Sequence, residues 1–376
     1  MLLADILARL DGWYPAGYAE DWDRVGLVCG DPGAEVRRIL LAVDPVQAVA
    51  DEAVDLGADL LVCHHPLFLR GTSSVATTTP KGRVVHQLVR NGVALFTAHT
   101  NADSPAGGVS ESLALALGLR AVRPLRADPT GPLDKIVAFA PREAAEAVRD
   151  ALAGAGAGMI GDYDSCSFST PGEGRFRPLE GANPTIGRVG HPEVVEEVRI
   201  EAVCPRYRRA DAVAALVAAH PYEEPAYDVF ELAALDEPDR GSGRIGRLPA
   251  PVSLRELAEL VAGVLPGTAH GVRVAGDPGL TVESVALCGG AGDFLLDRAR
   301  AAGADAYLTS DLRHHPASEL REHAGAAGRP ALLDVAHWAA EWTWLPVLRD
   351  RLRAELGATV ELQVSTTNTD PWTFRI

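Results

Sequence analysis

Thiol chemistry is what this chain is least equipped for. Its five cysteines, Cys29, Cys63, Cys166, Cys204 and Cys288, are scattered, and none stands in a CxxC pair. An odd, dispersed set argues against a disulfide framework and against a thiolate zinc site. Long apolar runs are missing too, because charge, Gly or Pro interrupts each one well before membrane-spanning length. The start, Met1-Leu2-Leu3-Ala4-Asp5, lacks the basic residues and apolar stretch of a secretory signal, so a cytoplasmic protein is expected. Basic charge is short: 35 Lys and Arg stand against 51 Asp and Glu, a formal net charge of −16. That disfavours tracking along a nucleic-acid backbone but leaves room for one nucleotide held beside local cations.

What remains is a soluble globular composition over 376 residues, enough for two or three domains. The chain is organised around Leu60-Leu61-Val62-Cys63-His64-His65-Pro66. Four apolar residues in a row read as a strand buried on both faces, as in parallel sheets. Such sheets collect ligands at the carboxyl ends of their strands, where the two histidines lie. Neighbouring side chains on an extended backbone point to opposite sides. His64 and His65 are therefore placed to bind two ions, or one metal and the other substrate; the plainer alternative has one ring satisfying a backbone carbonyl and the other exposed.

Arg38 to Asp44, the helix from Val46 to about Leu56 and the histidine strand form a βαβ unit with parallel pairing. A further buried strand, Val93-Ala94-Leu95-Phe96, leads into His99-Thr100-Asn101-Ala102-Asp103. Another strand end thus brings an imidazole and a carboxylate. The acidic run Glu20-Asp21-Trp22-Asp23 reads as a solvated turn ahead of a strand, with a supporting role behind a metal ligand as the sharper alternative. From about Pro132 the order becomes strand, helix, strands, helix, strand, the pattern of a ferredoxin-like insert. There His220-Pro221-Tyr222-Glu223-Glu224-Pro225 reads as a helix exit rather than an ion site. Asp236 to Gly246 reads as a linker, and Ser253 as the N-cap of a helix reaching Val264.

Gly303-Ala304-Asp305 echoes Gly57-Ala58-Asp59, and His314-His315-Pro316 echoes His64-His65-Pro66. The echo points to two related lobes with a site between them. Gly289-Gly290-Ala291-Gly292 opens a helix but matches neither GxGxxG nor the P-loop. Asp311 stands at a strand end, placed to hold a substrate group or orient a ligand. Finally, Asp334-Val335-Ala336-His337 ends a strand at a histidine. His337 and Glu341, four residues apart, share one helical face and suit a single metal.

These segments resemble the Nif-three-like dinuclear-metal family, the group often called GTP cyclohydrolase 1 type 2 homologues. The matching stretches are Asp21-Trp22-Asp23-Arg24-Val25-Gly26-Leu27, His64-His65-Pro66, His99 to Asp103, Gly289 to Gly292 and His337 to Glu341. Arg24 stands where Asn is usual and Ala102 where Leu is usual; neither removes a ligand type. The insert is similar to small trimer-forming signalling and divalent-ion-tolerance proteins. The resemblance implies that His64, His65, Asp103, His337 and Glu341 ligate two metals, with Glu341 bridging. It places His99 and His315 near the pocket and implies a homohexameric ring.

The expected architecture is α/β: two related lobes with mostly parallel sheets in one core, 1–128 and 241–376, around an inserted domain, 129–240. Imidazole and carboxylate ligands suit two divalent ions of zinc, iron, manganese or cobalt. The leading function is metal-dependent hydrolysis of a nucleotide or related heterocycle, with His99 or His315 as general acid or base. The competing function is non-catalytic: a metal store, chaperone or sensor with an assembly or ligand-sensing insert.

Overall fold

The apolar run ahead of the histidines forms the strand Leu60–Cys63, buried at every residue. It is the centre of a five-stranded sheet in the computed structural model, which describes residues 1–376. On one side it pairs in parallel with Ala94–Thr97, and on the other with Arg38–Ala42. Gly26–Cys29 closes one edge antiparallel to Ala94–Thr97. The other edge is Glu361–Val364, which returns from the far end of the chain to pair in parallel with Arg38–Ala42.

The second sheet has six strands, in the order Val272–Ala275, Ala331–Val335, Ala306–Ser310, Thr281–Ala291, Asp236–Ser253 and Arg120–Pro129. Its middle is parallel and its flanks antiparallel. Each lobe thus borrows a strand from the other's stretch of sequence. One hydrophobic cluster accordingly runs through both, from Leu3 and Ile6 to Leu308, Leu333 and Trp344. The two lobes form one compact unit, Met1–Asp128 with Glu237–Ile376.

The repeated Gly-Ala-Asp does the same work in both lobes. Gly57 and Gly303 adopt positive φ, 63° and 70°, which turns the chain out of a helix. The aspartate that follows then ties off a neighbouring strand. Asp59 Oδ2 accepts from the N–H groups of Arg37 and Arg38 at 2.7 and 2.9 Å. Asp305 Oδ2 accepts from those of Glu283 and Ser284 at 3.0 and 2.9 Å. The echo stops there. His314 and His315 open the helix His314–Ala324 and do not extend a strand.

The stretch from Asp236 to Gly246 is not a linker. It is the first half of the strand Asp236–Ser253, and Arg244 lies opposite Leu287 and Gly246 opposite Val285. Its polar composition hid this, since backbone pairing is indifferent to side-chain polarity. Gly241 has to be glycine for packing: a Cβ there would sit 2.2 Å from the Arg126 carbonyl oxygen. Ser253 does cap the following helix, Leu254–Val264, in a reciprocal capping box with Glu256.

The second unit, Pro129–Asp236, holds the strands Leu133–Pro141, Phe168–Phe176, Glu193–Pro205 and Tyr227–Glu231 with the helices Ala145–Gly154 and Arg209–Ala219. The order is strand, helix, two strands, helix, strand, and the strands pair antiparallel. Ile136, Ala138, Ile200 and Ala202 bury one face of this sheet under the helices. No helix of the protein is long and apolar enough to cross a membrane.

Candidate metal centre

Both sheets of the first unit aim strand ends at one place. Leu60–Cys63 gives His64 and His65, Ala94–Thr97 gives His99, and Ala331–Val335 gives His337 at the start of the short helix His337–Trp342. One turn further on, that helix brings in Glu341, whose side chain is almost fully buried. The strand stops at Cys63, so the alternation rule does not hold His64 and His65 apart. Their ring centroids lie 5.2 Å from each other.

All four imidazoles are oriented in the same way. Each uses Nδ1 for a hydrogen bond to an oxygen that can only accept: His64 to the Ala98 carbonyl at 2.8 Å, His65 to Asp44 at 2.7 Å, His99 to Asp23 at 2.8 Å and His337 to Asp311 at 2.6 Å. The proton therefore belongs on Nδ1, and in the neutral ring Nε2 carries a free lone pair. For three of the rings those nitrogens converge on Glu341. His337 Nε2 lies 2.7 Å from Oε1, His65 Nε2 2.9 Å from Oε2, and His64 Nε2 3.4 Å from Oε1. Asp103 Oδ1 lies 3.6 Å from His64 Nε2.

This donor set fits a metal. His64 Nε2 and Glu341 Oε2 are buried without a properly aligned hydrogen-bond partner, a costly arrangement unless something else binds them. Two groups, His64 with His65 and His99, and His65 with His337 and Glu341, each hold ligand atoms within 4.8 Å of one another and can take a cation. The carboxylate or carbonyl behind each histidine is the usual support of a metal-binding imidazole.

Electrostatics agree with the geometry. Burial would lower the His65 and His337 imidazoles. The Glu341 charge and the bonds from Asp44 and Asp311 overcome it and push them up to about 10 and about 11. Burial would raise Glu341, yet the surrounding histidines hold it well below the usual carboxylate range. Burial and the Glu341 charge push Asp103 up to about 7. Asp23 is buried too, but His99 and Thr100 keep it well below its ordinary value.

Two cavities meet at this cluster and share Trp22, His99 and His337. One, of about 550 Å³, is bordered by Phe294, Arg126 and Gly289–Gly290 and reaches Asp103 and Glu341. The other, of about 460 Å³, runs past Asp311 to Trp372. His315 lies outside both cavities. It is exposed, with its ring edge-on to His314 at 5.2 Å. The acidic run is not a solvated turn at Asp23: this carboxylate is buried behind His99, as in the sharper alternative. Asp44 carried no signal beyond its place at a strand end.

The Duf34/NIF3 (NGG1p interacting factor 3) profile matches residues 1–371. The chain belongs to the Duf34/NIF3 family. Family members named "GTP cyclohydrolase 1 type 2 homolog" from Mycobacterium tuberculosis and Bacillus subtilis are 52% and 35% identical to it. The first aligns over 98% of this chain and 96% of its own length, the second over 98% and 97%. Among solved structures, a Bacillus cereus protein related to NIF3 is 34% identical with a TM-score of 0.71. A Staphylococcus aureus protein is 27% identical with a TM-score of 0.82. Each alignment covers 100% of this chain and 99% of the other.

Proposed function

We propose that this NIF3 protein is a dinuclear, divalent-metal-dependent hydrolase of a nucleotide or related heterocycle. His64, His65, Asp103, His337 and Glu341 would hold the two ions, with Glu341 common to both. The observation that carries the reading is the convergence of backed imidazoles on one buried carboxylate, Glu341, beside an open cavity. When bound, such a pair of ions supplies Lewis acidity and a water acidic enough to attack at neutral pH.

The chain's own residues provide the rest. Asp23 fixes the His99 ring with Nδ1 protonated, leaving Nε2 to carry a proton to or from a reacting group at the cavity wall. Arg126 lies 5.2 Å over the Phe294 ring and donates to Ser242 at 2.8 Å, which holds a cation on the cavity wall for a substrate phosphate. Trp22 and Phe294 are both exposed and offer faces on which a flat heterocycle can stack. The name of the curated relatives points to a GTP-like substrate. His315 takes no part in this reading. The assembly that goes with it is a homohexamer, to be tested by light scattering.

The test is a turnover screen with nucleoside triphosphates, phosphodiesters and cyclic amides. It compares metal-replete, metal-stripped and Glu341→Ala protein. Turnover that needs both metal and Glu341 supports a hydrolase. Bound metal without turnover of any substrate would favour a metal store or sensor instead.

A further inference from the structure

The insert carries a cavity of its own, of about 270 Å³, on the face of its sheet that the helices leave open. Strand alternation places Phe139, Phe176, Gly174 and Glu197 on that face, opposite the helix-covered Ile136, Ala138 and Ile200. The chain then roofs it. Asn183 N–H donates to Glu223 at 2.9 Å, and the Thr185 hydroxyl donates to the Pro221 carbonyl at 2.6 Å. These bonds clamp the loop around Pro184 to the turn after the second helix.

The aromatic walls are held in place by His220. Its Nε2 donates to the Phe139 carbonyl at 2.9 Å, while its Nδ1 accepts from the Tyr222 N–H at 3.1 Å. The Tyr222 ring lies 5.8 Å from that of Phe176. The Glu197 carboxylate lies across Gly174, where a Cβ would sit 2.2 Å from Oε2. No Lys or Arg pairs with Glu197. The Tyr222 hydroxyl is buried against this carboxylate without a well-aligned hydrogen bond, and burial together with the Glu197 charge pushes it up to about 12.

Charge decides what fits. Glu197, Glu223 and Glu224 all border the cavity. Arg175 borders the cavity but is paired with Glu173, and Arg199, whose guanidinium lies 5.9 Å over the Phe139 ring, is paired with Glu201. Of the two guanidinium groups at the cavity, that leaves Arg177 without an ion pair to oppose three carboxylates. We propose that this cavity binds a small organic ammonium ion, its cationic head against Glu197 and the Tyr222 hydroxyl and its apolar body between the Phe139 and Phe176 rings. Aromatic faces and a carboxylate together form the environment that favours such cations. The cavity's modest volume limits the ligand to about the size of an aryl amine.

The experiment uses the full chain and three probes of one shape: phenethylammonium, 2-phenylethanol and phenylacetate. Binding is read by calorimetry and by saturation-transfer NMR. Phenethylammonium is expected to bind at least about tenfold more tightly than the alcohol, with no binding of phenylacetate. Glu197→Gln should erase the ammonium's advantage, with circular dichroism and thermal unfolding confirming that the variant is folded. Equal binding of alcohol and ammonium, preference for phenylacetate, or no binding of any probe at millimolar concentration would overturn the proposal. The probe series carries the test alone should Glu197→Gln misfold.

Discussion

Asp311 Oδ2 lies 2.6 Å from His337 Nδ1, and Asp311 holds that position from a left-handed backbone conformation, φ 58°. Non-glycine residues avoid this region unless their surroundings enforce it. Here the strand Ala306–Ser310 ends one residue earlier, so the turn swings the carboxylate back over the histidine. Asp311→Asn keeps the shape but no longer secures a protonated Nδ1. It is expected to weaken metal binding about 10- to 100-fold with little change in melting temperature. Chelator competition measures this; unchanged affinity would remove Asp311 from the centre.

Metal binding should depend on pH with a definite sign. His65 and His337, pushed up to about 10 and about 11, hold protons at neutral pH in the ion-free site. An ion displaces them, so binding releases protons and affinity rises with pH. In the ion-free protein the raised imidazoles stabilise the fold fully below pH 6.5, and that contribution is lost as pH rises through about 10 for His65 and about 11 for His337. Calorimetry in buffers of different ionisation enthalpy counts the protons. A count of zero at neutral pH contradicts this account.

Gly290 is a site residue without a side chain. Its φ is 76°, and a Cβ would lie 2.6 Å from Glu341 Oε1 and 3.3 Å from His337 Nε2. Gly290→Ala should cost about 1–3 kcal/mol of stability through the backbone. It should also lower metal content by displacing the Glu341 carboxylate. Metal analysis and denaturant unfolding on the same sample separate the two effects.

Trp344 supports the centre from behind. It is fully buried, its ring 5.5 Å from that of His64, and its indole N–H donates to the Tyr14 hydroxyl at 3.2 Å. Trp344→Ala should cost about 3–5 kcal/mol in urea unfolding. Trp344→Phe, which keeps most of the packing, should restore much of that stability.

If Arg126 receives a substrate anion, Arg126→Met should raise KM about tenfold and leave metal content unchanged. Its guanidinium touches Ser242 and Phe294 and none of the metal-binding side chains. Loss of metal in this variant would instead make Arg126 a structural residue.

Sequence reasoning works best where chemistry is tied to local pattern. His64, His65 and His99 follow apolar strand runs, and His337 and Glu341 share one helical turn, so short stretches announce them. Their supports are not local: Asp23 lies 76 residues from His99, Asp44 lies 21 from His65 and Asp311 lies 26 from His337. Only the pairing of neighbouring strands within each sheet brings those carboxylates behind the rings, and that pairing is not written in local sequence. The same limit explains His315. Its dipeptide copies that of His64 and His65, but the chain enters a helix there and leaves the ring in solvent. The strand within Asp236–Ser253 was hidden because its partners are set by tertiary pairing and not by its own polar residues.

Glu341 is proposed to join two divalent ions in this centre. That role is tested most directly by elemental analysis of purified protein after metal loading and removal of excess, with Glu341→Ala measured alongside. Close to two ions per wild-type chain are expected, with loss of both from a folded Glu341→Ala protein. Wild-type protein that retains no metal, or a Glu341→Ala variant that retains as much as wild type, would contradict that role.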